Sequence, residues 1–82
     1  MHYVYIIYSP SADKYYIGSS SSPEGRLSAH NHPANKGWTK RYQPWTLVFS
    51  QPFDNKPDAE AHERKIKNFK SKLMIRKIID AR

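Results

Sequence analysis

Six consecutive residues near the start, Tyr3-Val4-Tyr5-Ile6-Ile7-Tyr8, are all β-branched or aromatic, and this run most limits what the chain can fold into. Such side chains lose rotamer freedom in a helix and fit a pleated surface, so the run predicts a strand. Ser9-Pro10-Ser11-Ala12-Asp13-Lys14 is turn chemistry, and Tyr15-Tyr16-Ile17-Gly18 resumes strand character. Together they predict a β-hairpin with one face on a core. The 82 residues leave room for one small domain, expected to span 1–82. Disorder is disfavoured because 13% of the chain is aromatic.

After the hairpin, Ser21 with Glu24 three residues later fits a capping box, and Pro23 suits a first helical turn. A helix is predicted from Pro23 to Asn31. Residues 31–44 hold Pro33, Gly37 and Pro44 and read as a loop, with Trp38 tucked against the body. Trp45 to Phe49 reads as a third strand, ended by Pro52. From Pro57 onward, Ala59, His62, Ile66, Phe69 and Leu73 recur at spacings of three and four, predicting an amphipathic helix on the sheet. A break is expected near Asn68 to Ser71, followed by a helix capped by Ser71 and carrying Leu73, Ile75, Ile78 and Ile79. The order β-β-α-β-α-α predicts an α+β fold, three antiparallel strands flanked by helices.

Charge is distributed unevenly. Residues 1–63 carry six basic and six acidic side chains, whereas residues 64–82 carry eight basic side chains against Asp80 alone, so the whole net charge of +7 lies in the last 19 residues. A cationic segment of this kind is either a solvated helix face or a surface for a polyanion, with nucleic acid ahead of an anionic membrane surface. Its candidate contacts are Arg64, Lys67, Lys70, Lys72, Arg76 and Lys77. No apolar run approaches the ~18 residues that span a bilayer, and no basic leader precedes the apolar start. Cysteine is absent, which excludes disulfides and thiolate zinc sites and leads us to expect a cytoplasmic setting.

Several polar residues can carry chemistry. Tyr5 and Tyr16 lie on adjacent strands, where two phenols either converge or simply pack with wet hydroxyls. Arg26 and His30, four apart on one helical face, make a donor pair suited to an anion, or an idle surface pair. His2, His32 and His62 show no HxxxH or HxxE arrangement. Glu63, beside the apolar stripe of a cationic helix, is either a metal ligand or an i,i+4 partner of Lys67.

In combination these residues are more specific. Tyr3-Val4-Tyr5-Ile6, Tyr15-Tyr16-Ile17-Gly18, Arg26-Leu27 through His30-Asn31, Thr39-Lys40, Pro44 through Val48, and the helix Ala59 to Lys67 bearing Glu63 follow one another in order. Over about residues 2–80 the chain resembles the GIY-YIG nuclease superfamily, and most of all its small stand-alone bacterial members. Tyr3 and Val4 replace the first Gly and Ile of that pattern. Ser19 stands where excinuclease-type relatives often carry Lys, and Gly25 occupies a position often basic in near relatives.

The resemblance implies an α/β sandwich around a three-stranded antiparallel sheet and a metal-dependent nuclease acting on DNA rather than RNA, in repair or recombination. It implies that Glu63 holds one divalent ion, Mg²⁺ or Mn²⁺, and that Arg26 binds the non-bridging phosphate oxygens. Tyr5 is then the general base and Tyr16 orients the water, with the reverse assignment open, and His30 completes the set as a proton outlet. Lys40 joins the nucleic-acid contacts. The rival readings are a non-catalytic nucleic-acid-binding module on the same fold, and an adaptor docking a protein partner through the aromatic loop around Trp38 and Trp45.

Overall fold

The computed structural model describes residues 1–69 and 71–81. Strand β1 (His2–Ser9) and strand β2 (Lys14–Ser20) form the hairpin, α1 spans Pro23–Asn31, and β3 (Thr46–Phe53) precedes α2 (Lys56–Lys67) and α3 (Lys72–Asp80). The result is an α+β fold in the expected order, with an antiparallel sheet arranged β2-β1-β3. Central β1 is therefore paired along both edges. Asp13 takes the left-handed conformation (φ 52°) in the hairpin turn, which Asp tolerates better than most residues.

The pleat sends alternate β1 side chains to opposite faces. Val4 and Ile6 join Ile17, Phe49, Ala59, Ile66 and Ile75 in an apolar core beneath α2 and α3. Tyr5 and Ile7 join Trp45 in a second cluster, edged by Tyr16, Leu27, Tyr42 and Leu47, on the side of α1. Burying a side chain such as Ile66 fully contributes about 1.5–3 kcal/mol, so these two layers supply most of the folding drive.

Local details correct the sequence expectations. The N-cap of α1 is Ser22, not Ser21: its side chain accepts from Gly25 N at 3.2 Å, and Pro23 then falls at the first helical position, where its missing N–H costs nothing. Strand β3 continues through Pro52 to Phe53, because β3 is an edge strand whose outer side needs no donor. Within the expected loop 31–44, Trp38–Tyr42 form a 3₁₀ helix, η1. Trp38 is not tucked in but half exposed. Leu73 is also exposed, because the turn after Lys67 resets the helical phase and points Ile75, Ile78 and Ile79 inward instead. That break falls where expected, with Asn68 closing α2 and Ser71 capping α3.

Candidate active site

Tyr5 organises the α1 side of the sheet. Its register partner across the hairpin is Gly18, and a Cβ there would lie 2.6 Å from the Tyr5 hydroxyl and 2.7 Å from the ring. The ring thus lies flat across a position that only glycine leaves open. Its hydroxyl ends 3.1 Å from His30 Nε2. The Tyr16 ring stands 4.7 Å from the His30 ring and 6.4 Å from that of Tyr5, so the two phenols and the imidazole face one another.

Helix α1 delivers Arg26 and His30 one turn apart, with His30 buried and Arg26 exposed at the rim. Asn31 fixes the end of that helix to the start of β3: its amide donates to Trp45 O at 3.0 Å and its oxygen accepts from Trp45 N at 2.7 Å. Behind the imidazole lies a polar network. His30 Nδ1 is 2.9 Å from Thr39 Oγ1, which accepts from Asn35 Nδ2 at 2.8 Å, while Gln43 Nε2 donates to His30 O at 2.7 Å. Trp45 Nε1 donates to Thr39 O, tying η1 to the buried indole. Among the described residues no buried side-chain nitrogen or oxygen lacks a partner. A network satisfied in this way holds one geometry.

Electrostatics follow from this packing. Burial pushes the Tyr5 phenol above its ordinary value; the Arg26 guanidinium beside it pulls the other way, and the charges of Tyr16 and Glu63 push it further up. Burial, and then the Arg26 charge, lower His30, which favours a neutral imidazole at neutral pH. A cleft of about 370 Å³ opens between α1 and η1, lined by Tyr16, Arg26, His30, Trp38 and Thr39 among others.

Glu63 lies on the far layer, on α2, yet its charge acts on the Tyr5 hydroxyl. Its side chain is 18% exposed, and Lys67 Nζ donates to its Oε2 at 2.6 Å, the i,i+4 pair weighed from the sequence. Among the described residues no three His, Asp or Glu side chains cluster as a metal cage. A lone, solvent-reachable carboxylate still suits Mg²⁺, which commonly takes one or two protein carboxylates and fills its octahedron with water and substrate phosphate. Glu63 therefore fits a single hydrated divalent ion, in exchange for Lys67.

The cationic residues separate into groups. Lys40, Arg64 and Lys77 are exposed. Lys72 and Arg76 both reach back to Asp13, at 3.1 and 3.3 Å, and Arg76 also donates to the Tyr15 hydroxyl. Lys70 lies outside the described residues. Gly18, Asn31, Asn35, Thr39 and Gln43 were not singled out from the sequence as site residues. Gly18, Asn31 and Thr39 do stand inside the sequence motifs, and a Tyr5–Gly18 pairing follows from hairpin register. The loop amides carry no periodic signal.

Comparison with known proteins gives the chain a family. The family model for the GIY-YIG catalytic domain matches residues 1–77. A UPF0213 protein of Staphylococcus haemolyticus is 31% identical over 77 residues, covering 94% of this chain and 93% of the relative. One from Clostridium perfringens is 34% identical over 67 residues, covering 82% of this chain and 71% of the relative. One from Halobacterium salinarum has the same identity and length of match, covering 86% of the relative. No solved structure matches the chain. Among the described residues no helix is long and apolar enough to cross a membrane.

Proposed function

The chain belongs to the GIY-YIG catalytic-domain family, and from that premise we propose that it is a divalent-metal-dependent nuclease hydrolysing phosphodiester bonds in DNA. The observation that carries the reading is the Tyr5 hydroxyl: bonded to a neutral buried imidazole, beside a guanidinium, and within the field of a helical carboxylate.

Hydrolysis of a phosphodiester needs an activated water and charge stabilisation on the phosphoryl oxygens. A phenol whose pKa is raised by burial is rarely ionised at neutral pH, so Tyr5 serves best as a relay. Its oxygen takes the proton of the attacking water as its own proton passes to His30 Nε2. For Nε2 to accept, the imidazole proton must sit on Nδ1 and be donated to Thr39 Oγ1, the oxygen that Asn35 also supports. Tyr16, facing both rings, positions the water. Arg26, at the rim, takes the non-bridging oxygens with its planar fork of donors. Glu63 would hold the Mg²⁺ or Mn²⁺, whose chemistry is to polarise the phosphate and stabilise the leaving oxygen.

The test is cleavage of labelled DNA with Mn²⁺, under single-turnover conditions. Tyr5→Phe should lower the rate by about 10²–10⁴-fold. Arg26→Ala should lower it by about 10²–10³-fold, and Glu63→Ala should abolish metal-dependent cutting. Retained metal-dependent cleavage in Glu63→Ala overturns the assignment. The rate should also fall in acid, at a pH below the ordinary imidazole range, because His30 accepts a proton only while neutral and its burial holds it neutral further down. The Glu63–Lys67 pair favours the second reading, a binding module that does not cut. Salt-sensitive binding with no cleavage of any DNA form would decide for it.

A further inference from the structure

A second depression borders the site. Along the free edge of β2 runs a groove of about 300 Å³ whose walls include Lys14, Lys67, Lys72 and Trp38. Trp38 also lines the cleft that holds Tyr16, Arg26 and His30, so this one indole is common to both. It is 50% exposed, whereas the other tryptophan, Trp45, is 3% exposed. Trp38 is nonetheless well supported: its ring lies 4.9 Å from Tyr42, 6.0 Å from Trp45 and 6.4 Å from Tyr16.

Leaving half of a large aromatic ring in water forgoes burial that the neighbouring Trp45 attains. A supported indole bordered by lysines on one side and an arginine on the other offers a flat π face beside a cationic track. A nucleobase fits such a face only when it is unpaired, since a base inside a duplex is already stacked on its neighbours. The lysines are available to phosphate. Lys67 and Lys72 keep about half their side-chain surface exposed, and their partners Glu63 and Asp13 hold them through surface ion pairs that exchange readily. Lys14 sits over the Tyr42 ring, 5.3 Å from its centroid, with its charge beside the same groove.

We infer that the substrate enters as a single strand, with an unpaired base stacked on Trp38 and the adjoining backbone phosphates in the groove of Lys14, Lys67 and Lys72. This deepens the nuclease reading and rests on it for the location of the scissile phosphate. Binding alone can be measured separately from cutting.

The experiment uses the full chain in EDTA, with a 20-nucleotide oligo-dT and a blunt 20-base-pair duplex as probes, at several salt concentrations. The single strand should bind more tightly than the duplex and quench tryptophan fluorescence. Trp38→Ala should weaken oligo-dT binding about tenfold or more while changing duplex binding little, and Trp38→Phe should retain most of the affinity. Tighter binding of the duplex, an unquenched indole with bound oligo-dT, or equal weakening of both probes by Trp38→Ala overturns the inference. Comparing the two probes on the unaltered chain keeps the test decisive even if the alanine variant folds poorly. Duplex that is bound and cut without quenching would leave the nuclease reading standing and remove this one. Quenching by single strand with no cleavage of any substrate would do the reverse.

Discussion

Strand β1 divides its side chains between two unlike environments. Val4 and Ile6 enter a layer under α2 and α3 with the buried apolar residues Ile17, Phe49, Ala59, Ile66 and Ile75. On the opposite side Tyr5 and Ile7 share the space under α1 and η1 with the buried His30 and Thr39. One layer is held by burial and tolerates exchange of similar volumes. The other is held by directed hydrogen bonds, which give it a fixed geometry and make each missing partner costly. The apolar layer is roofed by α2 and α3, which also present candidate cationic contacts, so stability and candidate grip share elements; of the candidate chemistry only Glu63 stands there, while Tyr5, Tyr16, Arg26 and His30 lie on the other side.

The difference is open to direct attack, beginning where the effect should be largest. Ile66→Ala removes a fully buried side chain from the apolar layer and should cost about 2–5 kcal/mol in a thermal melt. In a chain this short that is a fall of tens of degrees. Cleavage per folded molecule should hardly change.

Gly18→Ala should behave in the opposite way. The new methyl meets the Tyr5 ring at below 3 Å, so the phenol must swing off His30; the melt should lose about 1–3 kcal/mol while the cleavage rate falls far more than that loss accounts for. Unchanged activity would mean that the position of Tyr5 does not matter. Thr39→Val leaves His30 Nδ1 and Asn35 Nδ2 without their shared oxygen, at a cost of about 1–3 kcal/mol, and should alter the shape of the pH–rate profile as well as its height.

Acid probes both layers together. His30 and His62 are each lowered below the ordinary imidazole value, mainly by burial, with a neighbouring cation adding to it (Arg26 and Lys65 respectively). The unfolded chain then takes up protons before the folded one does. Their contribution to stability is present above the unfolded value of about 6.5 and is lost as the pH falls from there toward their folded values. Melts from pH 7.5 to 5.5 should show that decline, and His62→Gln should make it shallower. The smallest effect belongs to Asp13→Asn, which loosens two half-exposed ion pairs at a backbone position that Asn also accepts. Its melt should be nearly unchanged; a loss approaching that of Ile66→Ala would show that α3 depends on this contact rather than on Ile75.

The element order was readable because β-branched runs, helix caps and prolines act locally. The strand of Tyr3 to Tyr8, the break near Asn68 and the cap at Ser71 all stand where local chemistry puts them. Misreadings arose where tertiary context decides. Pro52 ends a strand only if the strand is central, and β3 is an edge. Leu73 belongs to an apolar stripe only if one helix runs through Asn68. Arg26, His30 and Glu63 stood out by residue type and spacing. Asn35, Thr39 and Gln43 did not, because an amide or hydroxyl in an irregular segment gains meaning only from the atom it meets: Thr39 and Gln43 meet His30, and Asn35 meets Thr39.

The central place of β1 also governs the order of assembly. The hairpin with β2 is a local event that closes in about 1–10 μs. The other edge of β1 waits for β3, which pairs Phe53 with His2 and Thr46 with Tyr8 and so begins only after the midpoint of the chain. During synthesis at about 5–20 residues per second, the most apolar strand therefore stands with an open edge for seconds. A nascent chain in that condition is exposed to strand-to-strand association with its neighbours, so the yield of folded protein should depend more on how quickly residues 46–53 follow than on the strength of the hairpin itself.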